Sequence, residues 1–122
     1  MNPARNRTLA MLLAAFAMAG HAPAWAHASL QNAHPAKDSV VAAPTEITLQ
    51  FNEKLEYAFS GARVVDGAGR EVSMGKATLD KSDPSIMKLA VPALSAGRYK
   101  VEYVGVGHDG HRRKGEYSFT VK

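Results

Sequence analysis

Two short histidine-containing segments, "HASL" at positions 27–30 and "HDGH" at 108–111, hold the residues best suited to bind a metal ion. A histidine at a free N-terminus can close a chelate ring, because its α-amine and its imidazole Nδ1 bind the same ion. The α-amine has an ordinary pKa of about 7.7 to 8.0, so a metal displaces its proton readily at neutral pH. A nitrogen from a second histidine completes a T-shaped set of three, a histidine brace, and this environment favours Cu(II).

The second histidine is predicted to be His111, with Asp109 two residues before it. In an extended backbone, residues i and i+2 project to the same side, so Asp109 and His111 can address one ion while His108 points elsewhere. His108 is either a surface residue or an auxiliary ligand, and the sequence leaves both open. His34, beside Pro35, is predicted to be a solvated side chain. The alternative interpretation is that the histidines of both segments occur there by chance and bind no metal, because an Asp-Gly turn bearing a histidine is an ordinary hairpin connection.

The first 26 residues have the pattern of a secretory signal peptide, whose removal makes His27 the first residue of the exported protein. Two arginines precede an apolar stretch of roughly a dozen residues, and "AWA" at 24–26 fits an A-x-A cleavage site. That stretch is shorter than the about 18 residues that span a bilayer, so we expect no membrane anchor after cleavage. The chain is therefore divided into a signal peptide, 1–26, and one domain, 27–122.

The composition of residues 27–122 excludes several kinds of protein. Of the 15 lysines and arginines, 13 remain without the two in the signal peptide, against 11 aspartates and glutamates. This nearly even balance gives no reason to expect nucleic-acid binding. The chain has no cysteine, which excludes thiol catalysis and cysteine-based copper sites. Met74 and Met87 are too far apart in sequence to suggest the thioether cluster that Cu(I) prefers.

The elements that must position these residues are predicted to be strands, because the apolar pattern has mostly period two. The segments "EITLQFNE", "SIMKLAVP", "GRYKVEYVGV" and "GEYSFTVK" are predicted strands, and "ARVVDGAGREVSM" two short strands around the turn at 67–69. The segment "GHDGHRRK" is predicted to connect the last two strands, which places "HDGH" at a sheet end.

The fold class follows from the number of strands and from one local motif. Residues 94–99, "LSAGRY", match a tyrosine corner, in which the hydroxyl of a buried tyrosine bonds to the nearby backbone. A buried core aromatic is the simpler alternative for Tyr99. About seven short strands without helical periodicity predict an all-β, Greek-key sandwich or barrel, immunoglobulin-like or cupredoxin-like.

The assembled pattern resembles the CopC family of periplasmic copper-resistance proteins, in particular its short stand-alone members. The resemblance covers nearly all of 27–122 and depends on the histidine after the cleavage site, on "LQFNEKLE", and on D-G-H followed by G-x-Y-S-F. It implies that His27 gives its amine and Nδ1 to Cu(II), that His111 gives an imidazole nitrogen, and that Asp109 gives a carboxylate. By the sequence alone Glu53 is a solvated carboxylate, but the resemblance implies a near-axial or outer-sphere group at the same ion.

The resemblance implies a periplasmic protein that binds one Cu(II) ion per chain and sequesters or carries it for copper homeostasis or resistance. Family members that also bind Cu(I) have a methionine-rich loop, which this sequence lacks. Implied partners are the copper ion and an inner-membrane copper transporter or another periplasmic copper protein. Catalysis is not expected, because familiar catalytic motifs are missing and about 96 residues leave little room for an extended substrate platform. Two rivals stay open: a histidine-brace oxidase or monooxygenase, and an immunoglobulin-like interaction module without metal.

Overall fold

A computed structural model describes residues 28–122, which form a sandwich of two four-stranded sheets. His27 and the predicted signal peptide lie outside the described residues. One short 3₁₀ helix, Tyr57–Phe59, lies between the third and fourth strands. In chain order the strands are β1 (Leu30–His34), β2 (Val40–Val41), β3 (Glu46–Phe51), β4 (Gly61–Val65), β5 (Thr78–Leu79), β6 (Ile86–Ala90), β7 (Gly97–Val106) and β8 (Arg112–Val121). The predicted all-β sandwich is confirmed, with eight strands. Within 28–122 no helix is long and apolar enough to cross a membrane.

The two sheets enclose one hydrophobic core. The first sheet has the strand order β1-β3-β6-β5, and the second has the order β2-β8-β7-β4. The alternating residues Ile47, Leu49 and Phe51 of β3 are all buried, as the period-two pattern predicted. They belong to the same apolar cluster as Val101 of β7 and Phe119 of β8. The core therefore fixes the ends of β3, β7 and β8 relative to one another.

The predicted tyrosine corner is confirmed. The Tyr99 side chain is 6% exposed, and its hydroxyl donates a hydrogen bond of 2.7 Å to the carbonyl oxygen of Ser95. Its ring stacks on Phe119 with a centroid distance of 5.8 Å. The tyrosine thus ties the segment before β7 to the core.

The hairpin of β7 and β8 is the longest paired region, and its connection is shorter than predicted. The antiparallel register runs from the pair Gly97 and Val121 to the pair Val106 and Arg112. Residues 112–114 were predicted to lie in the connection because they are charged, and this prediction was wrong. Their backbones continue the ladder while their side chains remain exposed, so charge does not prevent strand pairing here. Only residues 107–111 connect the two strands.

Two other sequence predictions need correction. After the turn at 67–69, where Gly69 has φ of 81°, the return segment forms only an isolated bridge between Val65 and Glu71 instead of a second strand. The strands β1, β2 and β5 were not predicted, because "LQNAH" lacks apolar alternation and β2 and β5 have only two residues each. Pairing with β3, β8 and β6, respectively, creates these strands. His34 lies at the end of β1 and is exposed, as predicted.

Candidate metal centre

The segment that carries Asp109 and His111 is a tight turn rather than an extended chain. The Gly110 N–H donates a hydrogen bond of 3.0 Å to the carbonyl oxygen of Gly107. Gly110 has φ of 76°, a conformation that glycine adopts without steric cost. The assumption that i and i+2 share a side of an extended strand was therefore wrong for Asp109 and His111.

Asp109 and His111 nevertheless meet, through two direct hydrogen bonds. Oδ1 of Asp109 accepts a bond of 3.0 Å from the backbone N–H of His111, and Oδ2 lies 2.9 Å from the ring Nδ1. An ionised carboxylate only accepts hydrogen bonds, so the Nδ1 atom carries the ring hydrogen in this contact. In the neutral ring the lone pair is then on Nε2, and a carboxylate in this position is the usual orienting partner of a metal-binding histidine. In that tautomer, Nε2 is the ring nitrogen of His111 that is able to bind a metal ion.

His108 points away from this pair. Its Nδ1 lies 2.6 Å from Oε1 of Glu56, just before the 3₁₀ helix, and its side chain is 72% exposed. Glu56 also donates its backbone N–H to the carbonyl oxygen of Val106, at 2.7 Å. His108 thus has a partner outside the turn, although the extended backbone from which this was expected is absent. Glu56 was not singled out from the sequence, which holds no local signal for a contact made between segments 52 residues apart.

Glu53 lies directly beneath the turn. Its carboxylate packs so closely on Gly107 that a Cβ atom added to this glycine would overlap Oε1. Within the described residues, Oε1 of Glu53 is buried and has no hydrogen-bond partner. The interpretation of Glu53 as simply solvated is therefore wrong for this oxygen. A buried carboxylate oxygen without a partner is costly, and a cation is one partner that removes the cost.

The segment that follows His27 lies at the same end of the sandwich. Ala28 is fully buried, beside Gly105 and Phe51. Ser29 exchanges backbone and side-chain bonds with Asn52: its N–H donates to Oδ1 at 2.8 Å, and its carbonyl accepts from the Asn52 N–H at 3.0 Å. The chain after His27 is therefore anchored next to Glu53 and close to the strand that leads into the 107–111 turn.

Behind the candidate site the sandwich is apolar and aromatic. Phe51 and Tyr103 form an edge-to-face pair with a centroid distance of 5.7 Å. Burial raises the pKa of the Tyr103 hydroxyl, and the nearby positive charge of Arg113 only partly opposes this. Across the hairpin, the Tyr103 ring covers Gly115, where a Cβ atom would overlap it. Phe51 and Tyr103 thus pack an apolar wall behind the site, which strengthens electrostatic interactions at its edge.

The structure brings together part of the predicted ligand set. Asp109 and His111 are in contact, Glu53 lies under the same turn, and His27 lies outside the described residues. Within 28–122 no group of three or more histidine, cysteine, aspartate or glutamate side chains is arranged to hold a metal ion.

Comparison with known proteins identifies the family of this chain. The model of the CopC domain family matches residues 30–122. Protein YobA of Escherichia coli K12 is 39% identical over 102 residues, which cover 80% of this chain and 81% of YobA. Copper resistance protein C of Pseudomonas syringae pv. tomato is 38% identical over 123 residues, which cover 96% of this chain and 98% of that protein. The crystal structure of PcoC, a methionine-rich copper resistance protein from Escherichia coli, superimposes with a TM-score of 0.71 and 37% identity, covering 80% of this chain and 100% of that one. The chain belongs to the CopC family.

Proposed function

We propose that this protein is exported to the periplasm and binds one Cu(II) ion through its N-terminal histidine and the 107–111 turn. The observation that carries the proposal is the orientation of His111 by Asp109, with Nδ1 and Oδ2 2.9 Å apart. Membership of a family with relatives named copper resistance proteins supports copper as the ion. The nitrogen-rich donor set favours Cu(II) over hard cations such as Mg²⁺ and Ca²⁺.

Each residue has a distinct role in this proposal. His27 supplies its α-amine and Nδ1, which form one chelate ring, and His111 supplies Nε2. Asp109 orients His111 and keeps lone pairs that can also reach the ion, since a carboxylate has about four acceptor positions. Glu53 lies below as a near-axial or outer-sphere carboxylate, where a nearby cation satisfies its buried oxygen.

The proposed task is sequestration or carriage of copper without turnover. A nitrogen-ligated ion is held tightly, which lowers the concentration of free, redox-active copper. Residues 28–122 contain two methionines, Met74 and Met87, and they lie on different segments of the sandwich, so a thioether site for Cu(I) is not part of the proposal. Delivery to an inner-membrane transporter or to another periplasmic copper protein is the corresponding partner hypothesis.

The proposal is tested by Cu(II) titration of the exported protein, followed by isothermal calorimetry and electron paramagnetic resonance. The wild type should bind one equivalent tightly, with nitrogen hyperfine structure in its spectrum. His111→Ala should abolish the tight site, whereas the matched control His34→Ala, on the exposed end of β1, should not change it. Equal binding by both variants would contradict the proposal. Rapid, saturable oxidation of ascorbate by the copper-loaded protein would instead favour an oxidase.

A further inference from the structure

The 3₁₀ helix carries an exposed aromatic pair. Tyr57 and Phe59 are 57% and 68% exposed, and no residue of the helix is buried. They are two of the four exposed large hydrophobic residues in the part of the chain that the structure describes. Two exposed aromatic side chains on one short turn form a small apolar patch, and such a patch is a candidate interaction site.

Two basic side chains of β8 flank this pair. Gly61, just after the helix, pairs with Val104, and Val104 pairs with Lys114 across the sheet. Neighbouring strands lie about 4.8 Å apart, which puts the backbone of Lys114 roughly 10 Å from that of Gly61. Tyr57 and Lys114 line the same open groove, of about 830 Å³. Arg112 is two residues before Lys114 and projects from the same face of the strand.

The excess charge beside the aromatic pair is positive. Neither Arg112 nor Lys114 forms an ion pair within residues 28–122, whereas the acidic groups around them are mostly paired. Glu102 pairs with Arg63 at 2.6 Å and with Lys100 at 3.8 Å, and Glu116 pairs with Lys100 at 3.6 Å. Glu56 contacts His108 at 2.6 Å, and this histidine offsets its charge only when protonated. Two further groove residues, Glu71 and Lys76, carry opposite charges. The charges of Arg112 and Lys114 together exceed that of Glu56, so the local balance of charge is positive.

We infer that this surface, formed by residues 57–59 with Arg112 and Lys114, docks the protein on an anionic phospholipid membrane. Aromatic rings favour the headgroup region of a bilayer, and basic side chains are attracted to anionic lipids. A three-residue tip is small for a stable protein interface, which buries about 800 Å² on each partner, but it suits shallow insertion into headgroups. This favours a membrane over an acidic protein as the occupant.

Docking in this orientation brings the 107–111 turn close to the membrane. Glu56, immediately before the helix, contacts His108 through its side chain and Val106 through its backbone. The docking surface and the turn are therefore in direct contact through Glu56. The inference does not depend on copper, because every group it uses belongs to the protein itself.

The test uses a tryptophan reporter in the exported protein, without added copper. The only tryptophan of the sequence is Trp25, in the predicted signal peptide, so Phe59→Trp gives a single reporter after cleavage. Its emission should shift to the blue with vesicles of equal parts phosphatidylglycerol and phosphatidylcholine, but not with phosphatidylcholine alone. The control Val40→Trp, an exposed position on β2 far from the helix, should show no shift.

Charge variants of the Phe59→Trp protein then measure the contribution of the two cations. Each basic residue near an anionic surface contributes about 1 kcal/mol, so Arg112→Gln with Lys114→Gln should weaken partitioning about thirtyfold. The matched pair Arg98→Gln with Lys122→Gln, at the opposite end of the sheet, should leave partitioning unchanged. The inference is overturned if the Phe59→Trp emission does not shift, if Val40→Trp shifts equally, or if soluble polyglutamate produces the same shift.

Discussion

Replacement of Asp109 by asparagine tests whether the hydrogen bonds of the turn select the metal-binding form of His111. In the wild type, Oδ1 accepts from the backbone N–H at 3.0 Å and Oδ2 accepts from Nδ1 at 2.9 Å. Asparagine has one oxygen and one NH₂ group, so it can accept only one of these two bonds. If its oxygen keeps the backbone bond, its NH₂ faces Nδ1, which must then become the acceptor. The ring hydrogen moves to Nε2, and the nitrogen that should bind the ion loses its lone pair.

The expected loss of Cu(II) affinity follows from the role of the Asp109 carboxylate. Loss of the group that orients a metal-binding histidine typically lowers metal affinity 10–100-fold. If Asp109 also contacts the ion, the loss of its negative charge adds to this effect. We therefore expect Asp109→Asn to weaken Cu(II) binding at least about tenfold. The fold should be retained, because both residues of the pair lie on a surface turn.

Two measurements report this change separately. Nitrogen-15 NMR of the copper-free protein identifies which ring nitrogen of His111 carries hydrogen, and Cu(II) competition titration gives the affinity. The wild type should be protonated at Nδ1 and the Asp109→Asn variant at Nε2. The control Asp38→Asn changes an exposed aspartate with φ of 60°, a conformation that asparagine tolerates. The reasoning is refuted if Asp109→Asn keeps the Nδ1 hydrogen and binds Cu(II) as tightly as the wild type.

The remaining predictions concern stability. The buried hydroxyl of Tyr117 has no hydrogen-bond partner within the described residues, and burial raises its pKa. Tyr117→Phe should therefore leave the free energy of unfolding unchanged or raise it by up to about 1 kcal/mol, whereas Tyr99→Phe, which loses the bond to Ser95, should lower it by about 1 kcal/mol. Urea unfolding measures both, and a loss of equal size in the two variants would contradict the assignment. A hydrogen bond from the Ser82 hydroxyl is the largest cause that lowers the pKa of Asp80 from 3.8 to about 2. Because the folded-state pKa is depressed, ionised Asp80 stabilises the fold above pH 3.8, and this contribution is lost as the pH falls through about 2. The difference in Tm between wild type and Asp80→Asn should shrink over this interval, and a constant difference would show that Asp80 does not contribute.

Strands that are set by their own sequence were predicted well. The segment 97–106 alternates so regularly that both ends of β7 agree with the prediction. The strands β1 and β2 depend on partners elsewhere in the chain, and their residues carry little pattern of their own. The start of β8 was missed for a related reason, since the pairing of Arg112 with Val106 outweighs the polar character of residues 112–114.

The sequence analysis named the residues of the candidate site, but it did not predict how the described ones are arranged. Asp109 and His111 were paired on the assumption of an extended chain, and the structure pairs them through an Asp side chain that caps a turn. The buried oxygen of Glu53 and the contact between Glu56 and His108 arise where distant segments meet. Contacts between segments that are distant in sequence leave no local sequence pattern, so they are seen only in the folded structure.

The central claim is that a free amine at His27 completes the copper site, and the most direct measurement compares Cu(II) affinity with and without that amine. Mass spectrometry first establishes that the exported chain begins at His27. One alanine is then added before His27, which removes the chelate of α-amine and Nδ1 and leaves every side chain in place. The extended protein should bind Cu(II) more weakly by orders of magnitude and lose the nitrogen pattern of the wild-type spectrum. Unchanged affinity after the extension would contradict the N-terminal copper site.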